Sequence, residues 1–289
     1  MREVDEQVRE TLTARLRDIE THFDADCVFY YGPLFPSVES RFREFIEELK
    51  SDGPSRQRLV IILNTPGGSA ETVEKLVEII RFHYKSVFFI VPDEAMSAGT
   101  IFCMSGDKIL MDYTSSLGPI DPQVRNGNEW VPALGYLDQV ERMIQKSANG
   151  TLTDAELILL QQLDLAMLSR YEQAKNLTIT LLKKWLVEFK FQDWTKHRTD
   201  PQKLGLPVTQ QEKQQRAEEI ATILSDNKTW HSHGRMIGIN TLVKLVRLEI
   251  EDYSLDTEKR RLILAYNNLI TDYIAKNGSN FFLHSRCCF

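Results

Sequence analysis

The chain has 289 residues, 42% of them apolar, enough to bury the core of one large domain or of a domain with an extension. Its 35 Lys+Arg residues against 41 Asp+Glu give a net charge of −6, which argues against the diffuse attraction to nucleic acid or anionic lipid that a basic protein has. The N-terminal MREVDEQVRE is charged where a secretory signal is apolar, and no uninterrupted apolar run approaches the roughly 18 residues of a membrane span, so a soluble cytoplasmic protein without direct membrane insertion is expected.

Val4, Val8, Leu12, Leu16 and Ile19 recur at helical spacing, which predicts an amphipathic helix over 3–20 with a charged outer face. Cys27–Gly32 (CVFYYG) reads as a short buried strand, and Val38, Phe42, Phe45, Ile46 and Leu49 share one face of a helix over 37–49. Gly53-Pro54 breaks the chain. Strand and helix then alternate: Leu59–Leu63 is β-rich, Ala70–Phe82 helical, Val87–Val91 a second strand, Ala98–Met104 a short apolar helix and Lys108–Met111 a third strand. That alternation predicts βαβ units and a largely parallel sheet, and the uniformly apolar strands suit a sheet covered on both faces.

Beyond Pro122 the pattern turns helical. The stretch 151–190 holds the longest candidate helix, and Thr153 three residues before Glu156 has the form of a capping box. A loop is expected over 200–207 (DPQKLGLP), then two or three further helices up to the 266–276 region. Of the four cysteines, Cys27 and Cys103 sit in apolar runs and read as core thiols, whereas Cys287-Cys288-Phe289 reads as an exposed reactive tail; their spacing fits neither a zinc site nor a disulfide framework.

Two loops carry the chemistry. Asn64–Ser69 follows the first strand of the alternating run: Pro66 stiffens it, and Gly67-Gly68 permits backbone geometry that a β-carbon resists. It matches neither GxGxxG nor the Walker pattern, so phosphate binding is the weaker reading. Ser97 follows the next strand at the start of a helix, either as an ordinary N-cap or as a nucleophile beside unsatisfied amides. Both loops fall at the carboxyl ends of parallel strands, where open α/β sheets place their sites. Ser115 and Ser116 are assigned to the cleft wall and Asp121 to a cap or turn. His231 and His233 (HSHGR) have no HExxH context or acidic partner, and no metal site is assigned to them.

NTPGG, a helix, AMSAGT and then SSLGPIDPQ (Ser115–Gln123) together resemble the serine dehydrogenase proteinase family, relatives of the signal peptide peptidase A and Clp-type proteases. The resemblance covers about residues 28–206, with a further stretch in TWHSHGRMIGI (Thr229–Ile239). It implies a Clp/crotonase-like α/β fold with a helical C-terminal extension, divided as an N-terminal helix (1–25), a protease domain (26–207) and the extension (208–289). It implies Ser97 as nucleophile and an oxyanion hole from the backbone N–H of Gly68 (or Gly67) and of Ala98. There is no histidine between His83 and His197 for a Clp-style triad, which turns the search for a base to lysine, as in the signal peptide peptidase relatives.

Leu168, Tyr171, Thr178, Leu182, Trp185 and Phe189 form one helical stripe, and Lys175 falls within it; Lys183, Lys184 and Lys190 fall outside. A lysine on an apolar stripe suits an amine base, because desolvation lowers its pKa. The alternative for Lys175 is snorkelling to solvent, and Lys146 is the second candidate base. The expected activity is a serine endopeptidase with a Ser97–Lys175 dyad, no metal or organic cofactor, a peptide or protein substrate held near Pro66, Ser69, Leu117 and Gly118, and, by resemblance, homo-oligomeric assembly. Two other classes remain: a peptide- or protein-binding module inert to fluorophosphonates, and an acyl-CoA enzyme that uses the amides without Ser97.

Overall fold

The computed structural model describes residues 3–53, 56–120, 123–126, 129–198 and 201–289. The N-terminal helix α1 (Glu3–Phe23) leads into β1 (Asp26–Tyr31), a 3-10 turn (Pro36–Val38) and α2 (Glu39–Ser51). The alternating run follows as β2 (Arg58–Asn64), α3 (Ala70–His83), β3 (Ser86–Val91), β4 (Glu94–Ala95), α4 (Ala98–Met104), β5 (Lys108–Met111) and β6 (Ser116–Leu117). Next come an antiparallel hairpin of β7 (Gln123–Asn126) and β8 (Glu129–Pro132), then α5 (Ala133–Ala148), α6 (Asp154–Gln161) and α7 (Leu165–Trp185), which ends in a π-helical turn (Leu186–Lys190). The C-terminal part holds α8 (Gln210–Leu224), α9 (Asn227–Trp230), α10 (Ile239–Lys244), β9 (Glu251–Asp252), α11 (Thr257–Asn277) and β10 (Phe282–His284).

Six strands form one sheet in the order β10-β1-β2-β3-β5-β9, parallel except for β10, which runs antiparallel to β1. Alternate strand residues feed two cores. Val28, Tyr30, Leu59, Ile61 and Leu63 join side chains of α2, α3, α4, α7 and α8 on one face. Cys27, Phe29, Val60 and Ile62 join α1 and α11 on the other. Both faces are therefore covered, which is why these strands read as unbroken apolar runs and not as alternating ones. Cys27 and Cys103 are fully buried, as core thiols should be.

The departures from expectation lie in the second half. The region after Pro122 contains the β7–β8 hairpin, which a helical reading overlooks. The Thr153–Glu156 capping box is present, but the helix it starts is only α6; Asp164 then caps a separate α7 through the amides of Ala166 and Met167. The C-terminal extension is helical in most of its length, yet it returns β9 and β10 to the two edges of the central sheet and packs α11 on α1. Asp121 lies outside the described residues, as does Pro54 at the predicted break.

The tail is not an exposed appendage. The Arg286 side chain is 8% exposed and pairs with Glu20 at 2.7 Å and Asp26 at 2.8 Å, two carboxylates that are themselves buried. Cys287 and Cys288 are half-buried against the core of the sheet face that carries α2, and the Phe289 ring packs on Tyr273, Phe282 and His284. Burial of the Arg286 pairs explains the ordering: two buried carboxylates need a charge partner, and Arg286 brings the tail with it.

Candidate active site

Ser97 stands where β4 turns into α4, and it is 3% exposed. Its backbone is at φ 52°, ψ −113°. This is the mirror image of the ordinary extended conformation, the region that type II′ turns normally give to glycine. A residue with a β-carbon is held there only when its surroundings enforce it, at a cost of about 1–3 kcal/mol. The N-cap reading of the sequence fails on this point: Ser97 occupies the N-cap position, but its side chain makes no capping hydrogen bond.

The surroundings that enforce it are two glycine loops. Gly67, at φ +102°, has room only for hydrogen: a β-carbon there would sit 2.7 Å from the Met96 carbonyl oxygen and 2.9 Å from the Ser97 β-carbon. On the other side a β-carbon on Gly118 would meet the Ser97 amide nitrogen at 3.0 Å. Hydrogen bonds fix both loops. Thr65 N–H donates to the Glu94 carbonyl and Met96 N–H to the Thr65 carbonyl, both at 3.0 Å, which ties the end of β2 to β4. Thr100, fully buried, donates to the Gly118 carbonyl at 2.8 Å and accepts from the Gly118 amide at 2.9 Å.

These bonds leave particular amides over. Gly67 N–H donates to Thr65 Oγ1 at 3.1 Å, and its carbonyl accepts from Leu34 N–H at 2.9 Å. Among the described residues, neither Gly68 N–H nor Ala98 N–H has a hydrogen-bond acceptor. Of the two glycines the sequence offered, Gly68 is thus the one whose amide is available. Ser69 uses its hydroxyl as the N-cap of α3, accepting from Thr72 N–H at 3.2 Å and donating to Glu71 at 2.6 Å. Pro66 is exposed beside it.

The opposite wall is built by Leu117, Gly118 and Ser115. Leu117 N–H donates to the Ile237 carbonyl at 3.0 Å, and Ile237 N–H to the Leu117 carbonyl at 2.8 Å. The TWHSHGRMIGI stretch thus supplies a short antiparallel partner at Leu117, whose amide and carbonyl both pair with Ile237 of the C-terminal half. The amide of Gly118 is occupied as well, by Ala95 and Thr100. Ser115 accepts from Asp112 N–H at 2.7 Å and donates to the Pro92 carbonyl at 3.1 Å, a structural brace in the wall. A cavity of about 570 Å³ opens beside the loop, lined among others by Asn64, Thr65, Pro66, Asp93, Glu94 and Ser116. A larger groove of about 1230 Å³ runs between the end of α7 and α8 and includes none of these residues.

Lys175 is half-buried on α7, a helix packed on α3, α4 and α5. Its stripe neighbours Tyr171, Thr178, Leu182 and Trp185 are buried, as the periodicity predicts. The Tyr171 and Thr178 hydroxyls, one turn on either side of Lys175, are buried with no hydrogen-bond partner among the described residues. Lys175 itself has no ion pair among them. Lys146 differs: it is at the exposed end of α5, paired with Glu156 at 2.5 Å. Lys190 lies at the end of α7 near Asp107 and Lys108, at the amino end of β5, and burial pulls it down to about 8. That end of the sheet is opposite to Ser97. His231 is exposed in a turn after α9, and burial lowers His233 below the ordinary histidine range.

A model of the ClpP-like SDH-type serine proteinase family matches residues 42–227. The chain belongs to that family, and its mixed α/β architecture is of the Clp/crotonase type. Two curated proteins of Methanocaldococcus jannaschii, both described as uncharacterized, are similar to it. MJ0137 is 30% identical over 168 residues, 58% of this chain and 54% of that protein. MJ1495 is 31% identical over 99 residues, 34% of this chain and 32% of that protein. The matches therefore span about half and a third of these relatives' own lengths. Among solved structures, a mutant of the 1510-N membrane-bound stomatin-specific protease is 14% identical with a TM-score of 0.45, covering 80% of this chain and 81% of that one. Another mutant of that protease, in complex with a substrate peptide, gives 16% and 0.44 over 80% and 74%. A ClpP1 mutant from Listeria monocytogenes gives 18% and 0.29 over 34% and 57%. Among the described residues no helix is long and apolar enough to cross a membrane.

Proposed function

We propose that the protein is a serine peptidase in which Ser97 attacks a peptide carbonyl, the amides of Gly68 and Ala98 hold the resulting oxyanion, and Lys175 acts as general base and then general acid. The observation that carries this reading is the Ser97 backbone at φ 52° in a buried turn, with a side chain that does not cap its helix. Strain of this kind at a non-glycine residue is retained where it aims a side chain, and here it coincides with two amides that lack acceptors.

In the forward step the Ser97 hydroxyl proton moves to the Lys175 amine as Oγ bonds the carbonyl carbon. The carbonyl oxygen becomes an oxyanion between the two N–H groups, where each donor is worth about 3–4 kcal/mol of barrier. Lys175 then protonates the leaving amine; in the second half the same lysine takes a proton from water as its oxygen bonds the acyl carbon, and returns it to Ser97 Oγ as the Oγ–acyl bond breaks. The hydroxyls of Tyr171 and Thr178, buried without a partner among the described residues, flank Lys175 on its own stripe. The substrate lies between the Pro66–Ser69 loop and the Leu117–Gly118 wall, and the 570 Å³ cavity beside Pro66 takes a flanking side chain.

Mass-spectrometric analysis of a defined peptide mixture incubated with the protein, with Ser97→Ala and with Lys175→Ala tests this reading. Internal cleavage by the parent chain, lost in both variants, is expected. Cleavage that persists in Ser97→Ala overturns it.

A further inference from the structure

Three metal-binding side chains converge at the end of the sheet opposite Ser97. β10 runs antiparallel to β1, pairing Phe29 with His284, so the chain leaves β10 toward the amino end of β1. There Cys287 and Cys288 meet Glu48 of α2, and the two sulfurs and a carboxylate oxygen all lie within 4.8 Å of one another. No other set of three or more His, Cys, Asp or Glu donors comes this close among the described residues. The peptidase chemistry uses none of the three.

The cluster is held from both sides before any ion arrives. Arg286 donates to the carbonyl of Leu49, the residue after Glu48, at 2.9 Å, and its Nε donates to Asp52 at 2.9 Å. The tail is thereby pinned to the end of α2. Ser285 N–H donates to the Cys288 carbonyl at 2.8 Å, and Cys288 N–H donates to Ser285 Oγ at 3.2 Å, which closes the chain into a tight loop around Cys287. Beyond the pair, the Phe289 ring is held under the Arg9 guanidinium, 4.5 Å from ring centroid to Cζ. Both cysteines are half-buried and Glu48 is exposed, so the donors are ordered and still open to solvent.

The donor chemistry selects the ligand. Two thiolates favour a soft or borderline cation over Mg²⁺ or Ca²⁺, and one carboxylate completes three of the four positions of a tetrahedral zinc site. Donors around such an ion stand about 3.5–4 Å apart, so the 4.8 Å cluster needs only a contraction of roughly 1 Å. We propose that Glu48, Cys287 and Cys288 form a site for a thiophilic divalent cation, of the Zn²⁺ type, that clasps the C-terminal tail to α2. On binding, each thiol loses its proton to the buffer as its sulfur bonds the metal, Glu48 supplies the third bond, and solvent water fills the fourth position. No electron changes hands.

Isothermal titration of the full chain with ZnCl₂, after removal of metal and under a phosphine reductant, is the test, with a parallel melting scan. One Zn²⁺ per chain is expected, with proton release that makes the observed heat depend on the buffer, and with a rise in the melting temperature. Glu48→Gln should weaken binding at least 10-fold, and the double variant Cys287→Ser/Cys288→Ser should abolish both the binding and the thermal shift. Cobalt substitution should give thiolate-to-metal charge-transfer absorption in the parent chain and none in the double variant. Sub-stoichiometric binding in the parent chain, or binding kept by the double variant but lost in His231→Ala/His233→Ala, would overturn the proposal.

Discussion

If the Ser97 backbone is held in a glycine conformation by its surroundings, replacing it with glycine should stabilise the protein while removing the nucleophile. At φ 52°, ψ −113° the β-carbon costs about 1–3 kcal/mol, and a glycine escapes that cost. Against this, glycine adds about 0.4–1 kcal/mol of unfolded-state entropy. The net gain over Ser97→Ala, which keeps the β-carbon and loses the same hydroxyl, is about 1 kcal/mol. For a chain of 289 residues that is a rise of about 2 °C in melting temperature. The assay is paired urea denaturation of the two variants, with equal m-values as the check that the unfolded state is unchanged. The alanine variant is the proper reference because the ordinary expectation runs the other way, alanine being the more stable. A glycine variant equal to or less stable than the alanine variant would refute the strain argument.

Other consequences follow from the same contacts. Gly67→Ala drives a β-carbon to 2.7 Å from the Met96 carbonyl, so the turn must give by about half an ångström; a loss of about 2 kcal/mol in urea denaturation and a 10–100-fold slower reaction of Ser97 with a fluorophosphonate are expected, and wild-type values for both would contradict the packing. Arg286→Met strips Glu20 and Asp26 of their closest partner and leaves Arg56, at 3.6 and 4.0 Å, as the one charged partner among the described residues, beside the Tyr84 hydroxyl on Asp26 and the Cys27 amide on Glu20; a destabilisation of about 3 kcal/mol at neutral pH should appear in the denaturation midpoint. Burial pulls His284 down to about 3, below the ordinary value of about 6.5. Between those limits the unfolded chain binds a proton that the folded chain refuses, so His284 makes stability fall as pH drops from about 6.5 toward 3, by up to ~1.4 kcal/mol per pH unit, and has no such effect above that window. His284→Gln should flatten the slope of stability against pH in that range, and an unchanged slope would place the proton elsewhere.

How far the sequence leads is visible element by element. The bounds of α4 and β5 match the apolar runs Ala98–Met104 and Lys108–Met111, because a short buried element is marked at both ends by polar or glycine residues. The stripe on α7 is legible for the same reason: Tyr171, Thr178, Leu182 and Trp185 are buried, and Lys175 lies among them half-buried. Ser97 and the two-glycine loop stand out through composition at strand ends. What the sequence does not display is pairing between distant segments. Phe282–His284 becomes a sheet strand only because β1 offers it an open edge, and three residues are too few to carry a period. Ile237 pairs with Leu117 through backbone alone, which no side-chain pattern encodes. The burial of the tail was hidden likewise, because Arg286 reads as a surface charge until Glu20 and Asp26 are found beneath it.

The most direct test of the central claim is the site of covalent labelling by a fluorophosphonate, read by peptide mass spectrometry on the parent chain, Ser97→Ala and Lys175→Ala. The account predicts one adduct, on Ser97, absent in the first variant and strongly reduced in the second with folding intact in both. An adduct on another serine, or no adduct on a folded parent chain, would contradict it.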